Sequence, residues 1–208
     1  MDINEYEKIK NLNYKEYCSY LKLKYGSAKE DYMDVNFNRN PKCSRTNEGL
    51  FIHHIYEDRA IMLSNTNYAS EQPYYYQKAE NLVYCDYLEH MLLHILICEQ
   101  QSFKLDENIA VGIGGITEFM IPKLNDYYSG WKSEFDWENN CLNKIKNEKE
   151  TYFELIKRLN TNCSNYLEYE TSMLFSSFNA RFGTWEETKN NKIYKQIETM
   201  LFENVHRL

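Results

Sequence analysis

Short apolar runs alternate with polar stretches along this chain, and the period of each run predicts its element. Between residues 5 and 25, Tyr6, Ile9, Tyr14, Tyr17, Cys18 and Leu21 recur near helical spacing. They predict one helix, stopped by Gly26. Ser27 opens a second, short helix to about Val35, and the polar stretch 36–47, with Pro41, reads as a loop. Leu50 to Ile55 and Asn81 to Cys85 are short, β-leaning apolar runs, expected as two buried strands. Between them lies an insert, Arg59 to Glu80, in which Leu63 to Ser70 is expected to form a turn or short helix. Asp86 has the character of a helix N-cap, and Glu89 three residues later completes a capping box before the apolar segment Met91 to Ile97.

The second half is helical by the same criterion. A glycine-rich turn, Val111 to Ile116, is expected to pack its backbone closely against the preceding helix. Thr117 to Ser129 follows as a helix that Pro122 either kinks or restarts. Trp131, Phe135 and Trp137 are expected packing anchors. Residues 138–159 carry a long amphipathic pattern, Ser164 to Phe178 another, and a last helix after the Gly183 turn ends near Asn204. The pattern gives an α+β fold, mostly helical, as a single domain.

Composition narrows the class. With 43% hydrophobic and 26% charged residues, the chain is globular rather than disordered. No apolar run reaches the roughly 20 residues of a membrane helix, and MDINEYEKIK lacks the apolar segment of a signal peptide. A cytoplasmic location is therefore expected. The six cysteines contain no CxxC and read as buried thiols. The glycine turn has no preceding long strand and no following Lys-Ser/Thr, so no nucleotide cofactor is expected.

Chemistry concentrates in one place. Four of the five histidines lie on the first strand run, His53 and His54, and on the helix after the second, His90 and His94, and His206 sits in the tail without a role. Residues four apart share a helix face, so His90 and His94 stack and can bind one divalent ion. A third ligand can come from the His53–His54 pair. Adjacent strand residues point to opposite faces, so one imidazole can ligate while its neighbour stays free to take a proton. A zinc-protease motif needs His-Glu and then His three residues on, which Glu89-His-Met-Leu-Leu-His94 does not provide.

The string HHI, then NLV, then histidines nine and thirteen residues after Asn81, resembles the HNH (ββα-metal, His-Me finger) endonucleases, in their His-His-opening branch. The resemblance covers about a quarter of the chain. It implies a small ββα-metal core at 49–98, between an N-terminal helical segment, 1–48, and a C-terminal helical region, 99–208, packed on it. It further implies His54 as the general base that activates water, and Asn81 as the residue tying the loop that holds His54. His53, His90 and His94 would hold one divalent metal ion, whether zinc, magnesium, manganese or nickel. The second CxxC pair found in many such proteins is replaced by Asp86 and Glu89, so no zinc knuckle is expected.

The expected function is thus metal-dependent hydrolysis of phosphodiester bonds in DNA, most plausibly double-stranded, with a homodimer supplying two cuts. Arg45, in a locally basic loop just before the first strand, is the candidate phosphate contact. The run Tyr74 to Tyr76 offers either base stacking or packing. A net charge of −7 weighs mildly against DNA binding, because phosphate contacts need clustered cations. The competing expectation is a catalytically silent, metal-stabilised scaffold that acts as a protein-binding or inhibitor module.

Overall fold

The two apolar runs around the paired histidines form an antiparallel ladder. In the computed structural model, which describes residues 1–100, 111–164 and 169–202, β1 (Phe51–His54) pairs with β2 (Leu82–Cys85). The register sets His53 opposite Val83 and His54 opposite Leu82. Around this pair the described residues form nine α-helices. They are α1 (Ile3–Ile9), α2 (Tyr14–Tyr25), α3 (Thr66–Ala69), α4 (Tyr87–Gln100), α5 (Ile121–Tyr128), α6 (Asp136–Asn143), α7 (Lys149–Cys163), α8 (Phe178–Arg181) and α9 (Asn191–Phe202). The fold is a mostly helical α+β arrangement with one small sheet. No helix among the described residues is long and apolar enough to cross a membrane.

The centre of the molecule is α4. Leu88, Met91, Leu92, Leu93, Ile95, Leu96 and Ile97 are all buried, so the helix is apolar on nearly every side, as a central helix must be. Its N-terminus is the expected capping box: Asp86 Oδ1 accepts from the Glu89 amide at 2.9 Å, and Glu89 Oε2 accepts from the Asp86 amide at 2.7 Å. Both carboxylates are buried and answered by cations, the Met1 amine on Asp86 and Lys24 on Glu89. Strand alternation sorts the sheet between two cores. Val83, Cys85 and Phe51 join α4 in the main one, whereas Leu82 and Ile52 face a smaller one with Tyr32, Met33 and Cys43. All six cysteines are buried and none forms a disulfide.

Several expected helices are redrawn by local hydrogen bonding. The run 5–25 is two helices, because Asn13 and Glu16 form a second capping box that restarts the chain as α2. No helix forms over 27–35; Asp34 takes the amides of Asn36 and Asn38 into a tight turn instead. The amphipathic stretch 138–159 is split between α6 and α7 by a turn at Lys144 to Glu148. The run 164–178 is not one helix either: among its described residues it holds a 3-10 turn, Thr171–Leu174, and the start of α8. Phe135 and Trp137 are exposed rather than packing anchors. Pro122 restarts the chain as α5, after a π-helical segment Gly115–Met120.

A buried polar knot fastens the C-terminal region to α5. Asp126 accepts from Ser177 Oγ (2.6 Å), the Asn179 amide (2.7 Å), Asn179 Nδ2 (2.9 Å) and Asn190 Nδ2 (2.7 Å). Its neighbour Asn125 donates to the carbonyls of Leu174 and Ser176 and accepts from Tyr152.

Candidate metal centre

Four side chains from three elements meet beside the first turns of α4. Alternation along β1 sends His53 to the α4 side of the sheet. The i, i+4 spacing brings His90 and His94 together on the facing side of α4. After His54 the strand gives way to a 3-10 turn, Ile55–Asp58, which folds Glu57 back under the strand it has just left. His53, Glu57, His90 and His94 thereby place one ligand atom each within 4.8 Å of all the others. This group could hold one metal ion.

The separations suit a small ion. Glu57 Oε2 lies 3.4 Å from His53 Nδ1 and 3.2 Å from His94 Nε2, and His94 Nε2 lies 3.3 Å from His90 Nε2. Zinc ligands at about 2.0–2.1 Å in a tetrahedron stand roughly 3.3–3.4 Å apart, so these edges fit. The three imidazole rings radiate around one point, with centroids 4.9–5.3 Å apart and planes at 64–77°. Phe51 stacks on His90 and steadies that ring.

Hydrogen bonds fix which nitrogens are available. The Tyr14 hydroxyl donates its one proton to the Ile55 carbonyl at 2.9 Å. Toward His53 Nε2, 2.8 Å away, it can therefore only accept. His53 then carries its proton on Nε2, and Nδ1, buried with no hydrogen-bond partner, presents a lone pair to the cluster. Metal-bound imidazoles are usually held in this way, with the far ring N–H given to a fixed acceptor so that the near nitrogen faces the ion. By the same logic Gln77 donates from Nε2 to the Leu63 carbonyl at 3.1 Å, so its Oε1 accepts from His54 Nε2 at 3.2 Å. His54 Nδ1 is left as a bare lone pair, also without a hydrogen-bond partner, 3.5 Å from Glu57 Oε1. The His54 ring is otherwise held edge-on by Tyr32.

Burial sets the charge states. It holds His53 well below the usual imidazole range and pushes His90 down to about 3, with His94 adding to the effect, so both rings are neutral. Burial alone would raise the Glu57 carboxyl. A proton or cation held among His53, His54 and His94 outweighs it and holds that group well below the usual carboxylate range. Neutral imidazoles and an ionised carboxylate are the forms in which these residues bind a cation. The glycine-rich turn completes the enclosure: a Cβ on Gly115 would stand 3.1 Å from His94 Cε1, and one on Gly112 would stand 3.1 Å from the His94 carbonyl. The close backbone approach expected of that turn is therefore made to His94 itself.

The two other expected residues stand one step away from the cluster. Asn81 donates from Nδ2 to the Tyr75 carbonyl at 2.7 Å, in the 3-10 turn Tyr74–Gln77, and Gln77 of that turn is the residue bonded to His54. Arg45 is already committed, because Glu48 takes two of its nitrogens, the Tyr25 carbonyl a third, and its guanidinium lies over Tyr84. Tyr84 lines the face of the sheet opposite His53, so Arg45 is no phosphate ligand for this centre. In the aromatic run Tyr76 is buried on Tyr56 and the Tyr74 hydroxyl donates to Asp31, which leaves Tyr75 as the exposed ring. His206 lies outside the described residues. Sequence reasoning missed Glu57, Tyr14, Gln77 and Gly115. Only Glu57 left a trace, as the acid four residues after His53.

No family model matches the chain, and neither does any curated protein or solved structure. The functional reading therefore rests on the geometry and on the motif register alone.

Proposed function

We propose that the chain is a metal-dependent endonuclease of the ββα-metal type, hydrolysing phosphodiester bonds in DNA. The observation that carries this reading is the fifth group of the cluster. His53, His90 and His94 suffice, with Glu57, to hold an ion, yet a further imidazole, His54, is buried beside them with an unshared lone pair. Burying an unpartnered polar atom costs about 1–3 kcal/mol. A site built only to hold a metal has no use for it, and a general base needs that nitrogen bare. The order β1, β2, α4, with ligands on β1 and on one face of α4, also agrees with the motif register.

The residues have distinct tasks in this reading. His53, His90 and His94 hold the ion, which when bound supplies charge stabilisation at the scissile phosphate and the leaving oxygen. His54 Nδ1 takes the proton from the attacking water while Gln77 holds the ring through Nε2. The water oxygen bonds to phosphorus, the P–O3′ bond breaks, and the departing oxygen takes its proton from solvent. Asn81 fixes the insert at Tyr75 and so sets the edge of the site. Arg59, exposed two residues past Glu57 and only 3.7 Å from Asp58, replaces Arg45 as the candidate phosphate contact. Two such sites, in a homodimer, would be needed to cut both strands.

The scaffold reading draws on a specific observation too. Glu57 supplies a fourth ligand, and four protein ligands close a site as in structural zinc centres. Plasmid cleavage separates the two. Metal-stripped protein is supplied with magnesium, manganese, nickel or zinc, beside His54→Ala. Nicking that requires metal and disappears in the variant is expected. Stoichiometric metal with no cleavage under any ion would overturn the nuclease and leave the scaffold.

A further inference from the structure

The position of Glu57 has a consequence of its own, resting on the metal-centre part of the reading above and independent of the nuclease part. Its carboxylate spans two places. Oε2 stands at tetrahedral-edge distance from His53 Nδ1 and His94 Nε2, and Oε1 stands 3.5 Å from the bare Nδ1 of His54. The side chain is nearly enclosed, with 14% exposed, and its polar partners among the described residues are the imidazoles of His53, His54 and His94. We propose that Glu57 is the fourth ligand of the resting centre and a displaceable latch. It occupies the coordination position that an incoming phosphate needs, and the same carboxylate covers the base.

Three observations converge on this. Three imidazole ligands bring no charge to a dication and leave it one carboxylate short of half-neutralised, and Glu57 is the carboxylate within reach. His53 cannot be rotated to offer its other nitrogen, because Tyr14 holds it. Glu57, by contrast, is carried on a single 3-10 turn of four residues, Ile55–Asp58, outside the sheet ladder. It is the one ligand whose withdrawal disturbs neither β1 nor α4. A phosphate oxygen offers the same charge and the same hard donor, so exchange conserves the charge at the centre.

Cobalt(II) tests the latch without any nucleic acid. The full chain, Glu57→Ala and Glu57→Gln are loaded with one equivalent, and visible absorption is followed from about pH 6 to 9. With Glu57 in place no position is left to solvent, so the wild-type spectrum is expected to be flat with pH. In either variant solvent fills the fourth position, and the spectrum should titrate near pH 7, where such a position ionises. Inorganic phosphate should perturb the variants at concentrations at least about tenfold lower than the wild type. Zinc affinity, by competition with a chromophoric chelator, should fall at least about tenfold in the variants. A wild-type spectrum that already titrates near neutral pH, or a phosphate response unchanged by the substitutions, overturns the latch while leaving the metal centre standing. Failure of the wild type to bind cobalt or zinc at all overturns both. The glutamine variant keeps the side-chain volume, so a folding defect confined to the alanine variant would not decide the result.

Discussion

Asp126 and Glu57 are both carboxylates drawn into the protein, and their surroundings are opposite in kind. Asp126 receives four hydrogen bonds from hydroxyl, amide and backbone donors, and nothing in its shell is left over. Around Glu57 the neighbours are imidazoles at 3.2–3.5 Å, and the two that face it from β1, His53 Nδ1 and His54 Nδ1, have no hydrogen-bond partner. Neutral donors saturate an anion and stop; the result is glue. Lone pairs converging on an anion repel unless a cation or a proton joins them. Satisfaction, more than burial or charge, separates a structural knot from a site with work left to do.

The largest effect should come from cutting the saturated knot. Asp126→Ala strands the donors of Ser177, Asn179 and Asn190, and we expect a loss of about 3–5 kcal/mol in denaturant unfolding, the usual result of stripping one member from a buried charged network. A loss under about 1 kcal/mol would show that the contrast with Glu57 is mistaken. Chelation tests the other side. Protein holding zinc at about a thousandfold over its dissociation constant should lose roughly 4 kcal/mol of stability when the ion is removed, whereas Asp126→Ala should leave zinc stoichiometry at one in the folded fraction.

Smaller effects sharpen the picture. Tyr14→Phe removes the acceptor that fixes the His53 tautomer and the donor to the Ile55 carbonyl, so apo stability should fall by about 1–3 kcal/mol and the zinc affinity of the folded protein about 10–100-fold. A loss of apo stability with zinc affinity unchanged would make Tyr14 a packing residue instead. Gly115→Ala presses a methyl against the His94 ring, and we expect a several-fold weaker zinc affinity, read by chelator competition, at nearly unchanged helical content. In metal-free protein, His94→Ala should cost under about 1 kcal/mol, because it removes a buried imidazole whose Nδ1 had no hydrogen-bond partner.

What could be read from the sequence followed from period. Strand alternation put one of the His53–His54 pair toward the helix and the i, i+4 rule put His90 and His94 on one face, with the choice of His53 coming from the family resemblance, and the capping box at Asp86 and Glu89 dated the start of α4 to the residue. Glu57 escaped because β1 ends at His54: Glu57 sits on the 3-10 turn beyond it, where neither the strand period nor the helix period applies. Tyr14 and Gln77 reach the histidines over 39 and 23 residues, and no local signal encodes such a contact. The reading of Arg45 failed for a related reason. Proximity in sequence to β1 says nothing about which face of the sheet a loop cation joins, and Tyr84 drew it to the wrong one. The break at Asn13 was legible, since Asn13 and Glu16 stand at capping-box spacing, but the hydrophobic repeat across 5–25 masked it.

The hydroxyl of Tyr14 and the bare backbone of Gly115 also bear on modularity. Every ligand lies between residues 53 and 94, which invites excision of that stretch as a portable minimal module. Yet the ring of His53 is set from α2, upstream of the stretch, and the ring of His94 is boxed in by the π-helical segment downstream. A transplanted fragment would carry all the donor atoms with two of its three imidazoles free to spin. Ligand identity is local in this chain, but ligand orientation is a property of the whole fold, so grafting the centre elsewhere means moving its supports along with it.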